Sequence, residues 1–129
     1  MNIEILNLPK LNNPLGSCTI IEGNTIPFEI KRVYYLYDVP SGAERGGHSH
    51  INQLGFLIAV AGSFDVILKD GHEELTITLN NPNKGLLINN KIWRELNNFS
   101  SGAVCLVMAS DVFDEADYIR DYDDFLKSV

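Results

Sequence analysis

The chain has 129 residues, a formal net charge of −7 and a pI of about 4.8. This length predicts one domain, residues 1–129, that can bury a sizeable core. The acidic balance argues against a nucleic acid polymer as partner, because affinity for such a polymer comes from neutralising many phosphates. A small anionic ligand remains compatible with this charge if a few arginines and lysines converge on one site.

The sequence carries no signal for export or for a membrane. The first ten residues, MNIEILNLPK, contain no basic leader and no long apolar run. The longest apolar stretch, LGFLIAVAG, is far too short to span a bilayer. We therefore expect a soluble cytoplasmic protein with no membrane partner, in which Cys18 and Cys105 are buried free thiols, the alternative being a single disulfide between them.

Short strands with turn signals between them follow one another along the chain, a pattern typical of an all-β sandwich or barrel. The segment IKRVYYLYDV is rich in β-branched and aromatic residues, and the continuous apolar run of LGFLIAVAG predicts a strand buried on both faces. In FDVILKDGHEELTITL, alternating apolar residues on either side of Asp70-Gly71 predict a hairpin with a type I′ turn. The segments LLIN, WREL and AVCLVMAS follow as further strands.

The C-terminal segment changes to a helical period. In DEADYIRDYDDFLKSV, the residues Tyr118, Tyr122, Phe125 and Leu126 fall on one face of a helix, and acidic residues crowd its start. We therefore predict a short helix that packs on the outside of the β body and turns a solvated acidic face outward.

The segment ERGGHSHIN, residues 44–52, holds two histidines, His48 and His50, behind a glycine-rich turn. Residues two apart in a strand point to the same side, so both imidazoles are expected to face into the barrel. Gly42 precedes this pair and Gly62 closes the next strand, which together resemble the first motif of the cupin superfamily. Downstream, NNKIWRELNN resembles the second cupin motif, with Arg94 in the slot of its histidine.

The resemblance to cupins raises the question of a metal site. Metal-binding cupins draw four ligands from these motifs: the two histidines, a Glu or Gln about five residues later, and the histidine of the second motif. Here the Glu or Gln slot falls at Leu54 or Gly55, which offer no side-chain ligand, and Gln53 lies one strand position off the parity of the histidines. The fourth slot holds Arg94, a cation that repels a divalent ion. We therefore predict no metal and no cofactor.

Two inward histidines without a metal favour acid-base chemistry, because imidazoles titrate near neutral pH. Arg94 and Arg45 can stabilise developing negative charge or hold a phosphate, and a nearby cation lowers the pKa of a histidine toward the neutral form. This combination predicts proton abstraction next to a carbonyl, with an enediolate stabilised by positive charge. The alternative is that the histidines are satisfied core residues without a chemical role.

Other aromatic and polar residues divide between structural and ligand-binding interpretations. Tyr35 and Tyr37 share one face of a strand, where they either pack or present their hydroxyls to a ligand. Arg32 is a further candidate contact for an anionic ligand. Trp93 is predicted to be a packed aromatic, and His72, at the hairpin tip, is predicted to be exposed.

Three segments carry a closer resemblance: IKRVYYLYDVPSGAERGGHSH, AGSFDVILKDG and IWRELNNFSSGAVCLVMASDVFDEADYIRDYDDFL. Together they resemble the dTDP-4-keto-6-deoxyglucose 3,4-ketoisomerase family from about residue 14 to the end of the chain. The resemblance implies a cupin double-stranded β-helix, or jelly roll, and a homodimer with exchanged N-terminal strands. It also implies a metal-independent isomerase, an intramolecular oxidoreductase, that acts on a dTDP-linked 4-keto-6-deoxy sugar. The keto group would move from C4 to C3, on the route to amino sugars for surface glycans.

The resemblance also implies residue roles. The paired histidines of the family map onto His48 and His50, and by analogy His50 is the base at carbon while His48 shuttles protons among the oxygens. The family's arginine before the histidines maps onto Arg45, a contact for the diphosphate or the sugar. Tyr35 and Tyr37 belong to the strand that lines the family's pocket.

The sequence departs from the family pattern at three positions. Gln is usual where Gly55 stands, a basic residue is usual at Ile51, and Leu15 lies where some members have Arg. Arg94 occupies a slot that appears as His or Arg among members and is tied to the C4 configuration of the product, which stays open here.

Three other functions fit the same residues. A dTDP-sugar epimerase of related cupin fold also starts by removing a proton beside the C4 ketone. A non-catalytic sugar-nucleotide binding module fits the missing Gln at Gly55. A metal-dependent cupin is the third alternative, although Gly55 and Arg94 stand in two of its four ligand slots.

Overall fold

The structure is a computed structural model that describes the whole chain, residues 1–129, as two five-stranded antiparallel sheets packed face to face. The first sheet contains, in spatial order, β1 (Ile3–Asn7), β9 (Lys84–Ile88), β6 (Gly55–Ala61), β11 (Val104–Ala109) and β4 (Arg32–Leu36). The second contains β12 (Tyr118–Ile119), β5 (Arg45–His50), β10 (Trp93–Asn97), β7 (Phe64–Lys69) and β8 (Glu74–Leu79). A separate hairpin is made by β2 (Lys10–Asn13) and β3 (Gly16–Thr19). This jelly roll confirms the predicted all-β fold class.

Apolar side chains that the two-residue period turns inward fill the space between the two sheets. Phe64, Val66 and Leu68 from β7 are fully buried there. Leu86 and Ile88 from β9 meet them from the opposite sheet. Each fully buried side chain of this kind contributes about 1.5–3 kcal/mol relative to leaving it exposed. The core therefore holds the two sheets together, and beside it a cavity opens between β4 and β5.

Strand β6 is buried on both of its faces, as its continuous apolar run predicts. Leu57 and Ala59 join the core between the sheets. Phe56 and Ile58 point the other way, into a second apolar cluster that Leu8 helps to close. The middle strand of the first sheet is thus shielded from water on both sides.

The hairpin of β7 and β8 forms at the predicted place, but its turn differs from the prediction. The register pairs Lys69 with Glu74, which leaves four residues, 70–73, in the loop. The side chain of Asp70 accepts a hydrogen bond from the backbone N–H of His72 at 2.8 Å. The predicted two-residue type I′ turn is wrong, because the aspartate closes a wider loop with its own carboxylate. The His72 side chain is exposed, as predicted.

The C-terminal helix is shorter than the sequence pattern predicts. Helix α1 spans Tyr122–Ser128, and the carboxylate of Asp121 caps it by accepting from the N–H of Asp124 at 3.0 Å. Tyr118, predicted on the helix, lies instead in β12, directly after a 3-10 turn at Glu115–Asp117. Pairing of this segment with a sheet edge overrides the helical spacing of its apolar residues. No helix in the structure has the length and apolar character needed to cross a bilayer.

Helix α1 packs on the outside of the second sheet, as predicted. Phe125 is fully buried, with its ring centroid 5.7 Å from that of Trp93. Tyr122 meets the same indole edge-on at 5.2 Å. Trp93 is therefore the packed aromatic that the sequence indicated.

The two cysteines differ in burial. Cys105 is buried, and burial raises the pKa of its thiol to about 12, so it stays protonated. Cys18 is exposed, so its predicted burial is wrong. The reason is that the β2–β3 hairpin pairs with neither large sheet and carries Leu15 at its turn with 98% of the side chain exposed.

The close packing in the first sheet gives a stability prediction at Gly85. A methyl group at Gly85 in β9 would overlap the ring of Phe56. Gly85→Ala is therefore expected to lower the free energy of unfolding by about 1–3 kcal/mol, the usual cost of overpacking. Gly55→Ala is the matched control, because its added methyl would lie 3.5 Å from its nearest neighbour, an ordinary contact. Urea denaturation at one protein concentration measures both, and equal midpoints would contradict the prediction.

Candidate active site

Two consecutive glycines begin the strand that carries the histidine pair. Gly46 and Gly47 have φ values of 82° and 74°, in the left-handed region that suits glycine. The register between β5 and β10 shifts at the same point, because Arg94 pairs with His48 while Glu95 pairs with Gly46. Such a bulge bends a strand and re-aims the side chains beside it. The glycine-rich turn thus directs the histidines into the barrel.

His48 and His50 share the inner face of β5, as the spacing predicts. Their ring centroids lie 4.9 Å apart with one ring edge-on to the other. His48 lines a cavity of about 350 Å³, and neither of its ring nitrogens has a hydrogen-bond partner in the protein. His50 is more deeply buried, with 1% exposed. The ring of Tyr118 covers both histidines at centroid distances of 4.9 and 4.4 Å.

The 3-10 turn directly before β12 supplies a carboxylate to His50. The pairing of β12 with β5 sets Tyr118 opposite His50 and brings Oδ2 of Asp117, the last residue of that turn, to 3.1 Å from Nδ1 of His50. Asp117 also accepts the backbone N–H groups of Asn52 at 2.8 Å and Gln53 at 3.1 Å. These bonds fix the carboxylate, so that it can orient the imidazole as the aspartate of an Asp-His pair does.

The other ring nitrogen of His50 meets the amide of Gln53. The Nε2 atoms of the two side chains are 3.3 Å apart, and Oε1 of Gln53 accepts a hydrogen bond from Nη2 of Arg32 at 2.9 Å. Strand parity places Gln53 away from the histidines, but β5 ends at His50 and residues 51–54 turn. The parity rule fails there because it holds only within a strand.

Arg94 is a buried cation beside the two histidines. It is 5% exposed, its Nη2 donates to the backbone carbonyl of Ile92 at 3.1 Å, and its Nε has no partner. Burial lowers the pKa of Arg94 to about 10, so the guanidinium stays charged at neutral pH. No carboxylate forms an ion pair with it. Its unused donors are available to an anionic ligand.

Both histidines are held in the neutral form. Burial, followed by the charge of Arg94, lowers the pKa of His48 and of His50 from 6.5 to about 3. Arg120 adds to the effect at both rings. The contact between His50 and Asp117 is therefore a hydrogen bond from a neutral N–H to a carboxylate. Each imidazole keeps a lone pair that can accept a proton at neutral pH.

The cavity concentrates the positive charge of the chain. All four arginines of the sequence line it, namely Arg32, Arg45, Arg94 and Arg120. No aspartate or glutamate is among its lining residues. A chain with a net charge of −7 thus presents a positive interior, which attracts an anion of small-molecule size.

The structure brings most of the predicted site residues together. Those at or directly behind the cavity wall are His48, His50, Arg32, Arg45 and Arg94. Tyr35 and Tyr37 are not brought to the cavity: Tyr35 is 59% exposed on the outer side of β4, and Tyr37, directly after that strand, is 60% exposed. Alternation along β4 turns Arg32 and Tyr34 inward instead. Burial, then the neighbouring Tyr118, raises the pKa of Tyr34, so its hydroxyl stays protonated and can donate a hydrogen bond.

Five site residues escaped the sequence reasoning: Tyr34, Gln53, Asp117, Tyr118 and Arg120. Three of them belong to the acidic tail, which the sequence pattern assigns to a solvated helix. The signal for a strand was the two-residue spacing of Tyr118 and Arg120 just before Asp121, a residue type that caps helices. The guanidinium of Arg120 lies 4.3 Å from the centroid of the Tyr118 ring and pairs with Glu115.

The ligand slots of a metal-binding cupin are filled differently in this chain. No three side chains of His, Cys, Asp or Glu are placed to share a metal ion. At Gly55 the missing side chain leaves room for Nη1 of Arg94, 3.5 Å from where a Cβ would stand. A guanidinium thus occupies the space beside His48 and His50.

These groups can bind an anion and move protons within it. A carboxylate fixes one imidazole, a second neutral imidazole lies within 4.9 Å, and a buried guanidinium faces the same space. Two proton carriers and one fixed positive charge are the parts needed to form an enolate next to a carbonyl and stabilise it.

Comparisons with known proteins identify the family of the chain. The whole chain, residues 1–129, matches the family FdtA, described as WxcM-like, C-terminal. The TDP-4-oxo-6-deoxy-alpha-D-glucose-3,4-oxoisomerase of Aneurinibacillus thermoaerophilus is 43% identical over 130 residues, covering 100% of this chain and 94% of that protein.

Two crystal structures are close to this fold. The WlaRB TDP-quinovose 3,4-ketoisomerase of Campylobacter jejuni is 49% identical with a TM-score of 0.93, covering 98% of each chain. A variant of the 3,4-ketoisomerase QdtA of Thermoanaerobacterium thermosaccharolyticum, in complex with TDP-4-keto-6-deoxyglucose, is 41% identical with a TM-score of 0.97, covering 98% of this chain and 93% of that one. With a match along its whole length and relatives of this similarity, the chain belongs to the FdtA family of WxcM-like proteins and has their cupin-type fold.

Proposed function

We propose that the protein is a sugar-nucleotide 3,4-ketoisomerase that converts dTDP-4-keto-6-deoxyglucose to a dTDP-3-keto-6-deoxyhexose. The observation that carries the proposal is a cavity lined by every arginine of the chain, with neutral His48 and buried Arg94 in its wall and neutral His50 directly behind them. Relatives named as 3,4-ketoisomerases, one of them crystallised with TDP-4-keto-6-deoxyglucose, support the same substrate class.

The first step is removal of the proton at C3 of the sugar. That proton is acidic because the C4 carbonyl accepts the electron pair left behind. In this proposal His50 is the base: Asp117 binds Nδ1–H at 3.1 Å, which leaves the lone pair on Nε2. Nε2 takes the C3 proton, the C3–H electrons form the C3–C4 double bond, and O4 becomes an oxyanion.

The second step transfers the carbonyl. The neutral ring of His48 gives its N–H proton to O4 and takes the hydroxyl proton from O3, so it ends as it began. The C3 carbonyl then forms and C4 accepts the proton held by His50. The product has the same atoms as the substrate, and no oxidant or reductant is consumed. The unpaired ring nitrogens of His48 at the cavity wall suit this role.

In this proposal, different arginines bind different negatively charged parts of the ligand. Arg94, buried and without a carboxylate partner, is placed to stabilise the oxyanion at O4 in a low-dielectric interior. Arg45 and Arg120 lie at the rim, where a second hollow shares both residues with the cavity. We assign the diphosphate to this rim. Arg32 and Tyr34 complete the wall on the side of β4.

The proposal includes a homodimer. The outer side of edge strand β4 exposes Val33 and Tyr35, and Tyr37 is exposed directly after it. The β2–β3 hairpin with its exposed Leu15 is paired to neither large sheet. Exchange of N-terminal strands with a second copy would cover both surfaces. In that arrangement Tyr35 and Tyr37 contact the partner, and Tyr34 takes their place as the tyrosine facing the sugar.

Turnover of dTDP-4-keto-6-deoxyglucose in heavy water, followed by NMR, tests the function. We expect the ketone signal to move from C4 to C3. We also expect deuterium to enter the sugar at carbon, because the base exchanges its proton with solvent. An inverted carbon with the ketone still at C4 would identify an epimerase. Binding of dTDP without any change in the sugar would identify a non-catalytic module, and either result would sink the proposal.

Replacement of the proposed base separates catalysis from binding. His50→Asn is expected to lower kcat by about 10²–10⁴-fold, the usual contribution of a positioned general base. Binding of dTDP, measured by calorimetry, should be unchanged, because the arginines at the rim remain. His72→Asn, the same change at an exposed loop position, is the matched control and should keep full turnover. Unchanged turnover in His50→Asn would remove the assignment.

Metal removal tests the interpretation of the ligand slots. Dialysis against a chelator is expected to leave turnover unchanged, because Gly55 offers no ligand and the charge of Arg94 opposes a second cation between the histidines. Elemental analysis of the same sample gives the metal content. Stoichiometric metal whose removal abolishes turnover would contradict this prediction.

A further inference from the structure

The side chain of Gln53 lies between the guanidinium of Arg32 and the ring of His50, the proposed base, and contacts both. Its Oε1 lies 2.9 Å from Nη2 of Arg32, and its Nε2 lies 3.3 Å from Nε2 of His50. The side chain is 3% exposed, so water does not compete for these contacts. We propose that Gln53 is a positioning residue that keeps Nε2 of His50 unprotonated in the resting enzyme. This inference rests on the proposed function, which assigns the C3 proton to that atom.

Arg32 fixes which end of the amide faces His50. A guanidinium donates hydrogen bonds and never accepts them, so the atom of Gln53 beside Arg32 must be the carbonyl oxygen. The NH2 group is then the end beside His50. Turning the amide over would set two donors against each other at the Arg32 side, at the cost of an unsatisfied buried group. The orientation of the amide therefore follows from hydrogen bonding alone.

The amide in turn fixes the state of His50. An NH2 group only donates, so Nε2 of His50 must be the acceptor and carry a lone pair. The ring proton is then on Nδ1, where Asp117 Oδ2 accepts it at 3.1 Å. Both nitrogens of the buried ring are satisfied by this one tautomer.

Gln53 and Asp117 act differently on the ring. The carboxylate of Asp117 selects Nδ1–H, but its negative charge also favours the doubly protonated imidazolium, which cannot accept a proton. The Gln53 amide opposes that form, because a proton on Nε2 would point at an N–H donor. At 3.3 Å the N–H···N contact is long, so the C3–H of a sugar can displace it.

Other charged and titratable groups also face His50. His48 comes from the strand of His50 itself, and the others come from three further segments: Arg32 in β4, Arg94 in β10, and Tyr118 with Arg120 at β12. The arginines act on the ring as a whole, through its net charge. Gln53 is the group that bonds to Nε2 itself, so its replacement tests that atom.

The test uses ¹⁵N NMR spectra of the histidine rings in substrate-free protein. In wild type we expect His50 to be neutral with its proton on Nδ1 across about pH 5–8. In Gln53→Glu one carboxylate oxygen still binds Arg32 and the other becomes an acceptor for Nε2, so the ring should become doubly protonated at neutral pH. Asn80→Asp makes the same amide-to-carboxylate change at an exposed position outside the cavity lining and should leave the His50 spectrum unchanged.

Kinetics give the second readout. A protonated base is inactive, so Gln53→Glu should lower kcat at neutral pH about 10-fold or more, with a smaller change in KM. Its kcat should rise with pH as the ring loses its proton, whereas the wild-type profile is flat. Gln53→Leu, which removes the donor without adding charge, should show a smaller loss.

Three results would overturn the proposal: a wild-type ring protonated on Nε2, a neutral Nδ1–H ring in folded Gln53→Glu, or a flat pH profile for that variant. If Gln53→Leu does not fold, Gln53→Glu still decides, because it keeps the Arg32 contact. The spectra need no sugar, so they remain valid if wild-type protein fails to turn over the keto sugar, which would instead count against the proposed function.

Discussion

Arg94 lies inside the barrel with a single backbone carbonyl as hydrogen-bond partner and no carboxylate paired with it. Removing such a charge from water costs several kcal/mol unless other groups compensate it. Few protein groups compensate this desolvation cost for Arg94, and its charge lies close enough to act on two histidines. The field of Arg94 helps to keep His48 and His50 neutral and draws an anion into the cavity. A carboxylate beside Arg94 would cancel both effects.

Segregation of charge extends this constraint to the whole cavity. The chain carries 17 acidic residues against 10 basic ones, yet none of the acidic side chains lines the space that every arginine reaches. Asp117, whose carboxylate contacts His50, is on the side of that ring away from the cavity. Its oxygens accept hydrogen bonds from the ring N–H and from two backbone N–H groups. It therefore orients the His50 ring without neutralising the positive charge of the cavity. The carboxylate that positions the imidazole is thus separated from the arginines that line the cavity.

Sequence periodicity predicts the parts of this structure that lie within strands. The alternation in β7, the doubly buried β6 and the shared face of His48 and His50 all follow from a two-residue repeat. The same rule says that Tyr34 and Tyr35 face opposite ways, but a strand with tyrosines on both faces does not reveal which face is inside. Where strands end, the rule gives no information, and Gln53 is reached through a turn. The family resemblance carried the function further than periodicity could.

The tail is the part where local pattern and tertiary structure disagree most. The spacing of apolar residues from Tyr118 onward favours a helix, whereas the free edge of β5 favours strand pairing. Only Tyr118 and Ile119 pair with β5, and the helix begins after them. So short a strand has little stability of its own. It is followed by α1, whose Phe125 is fully buried against Trp93. Docking of the helix therefore adds to the hydrogen bonds from Asn52 and Gln53 that hold Asp117 against His50, so a contact on the outside of the sheet supports the orientation of an imidazole inside it.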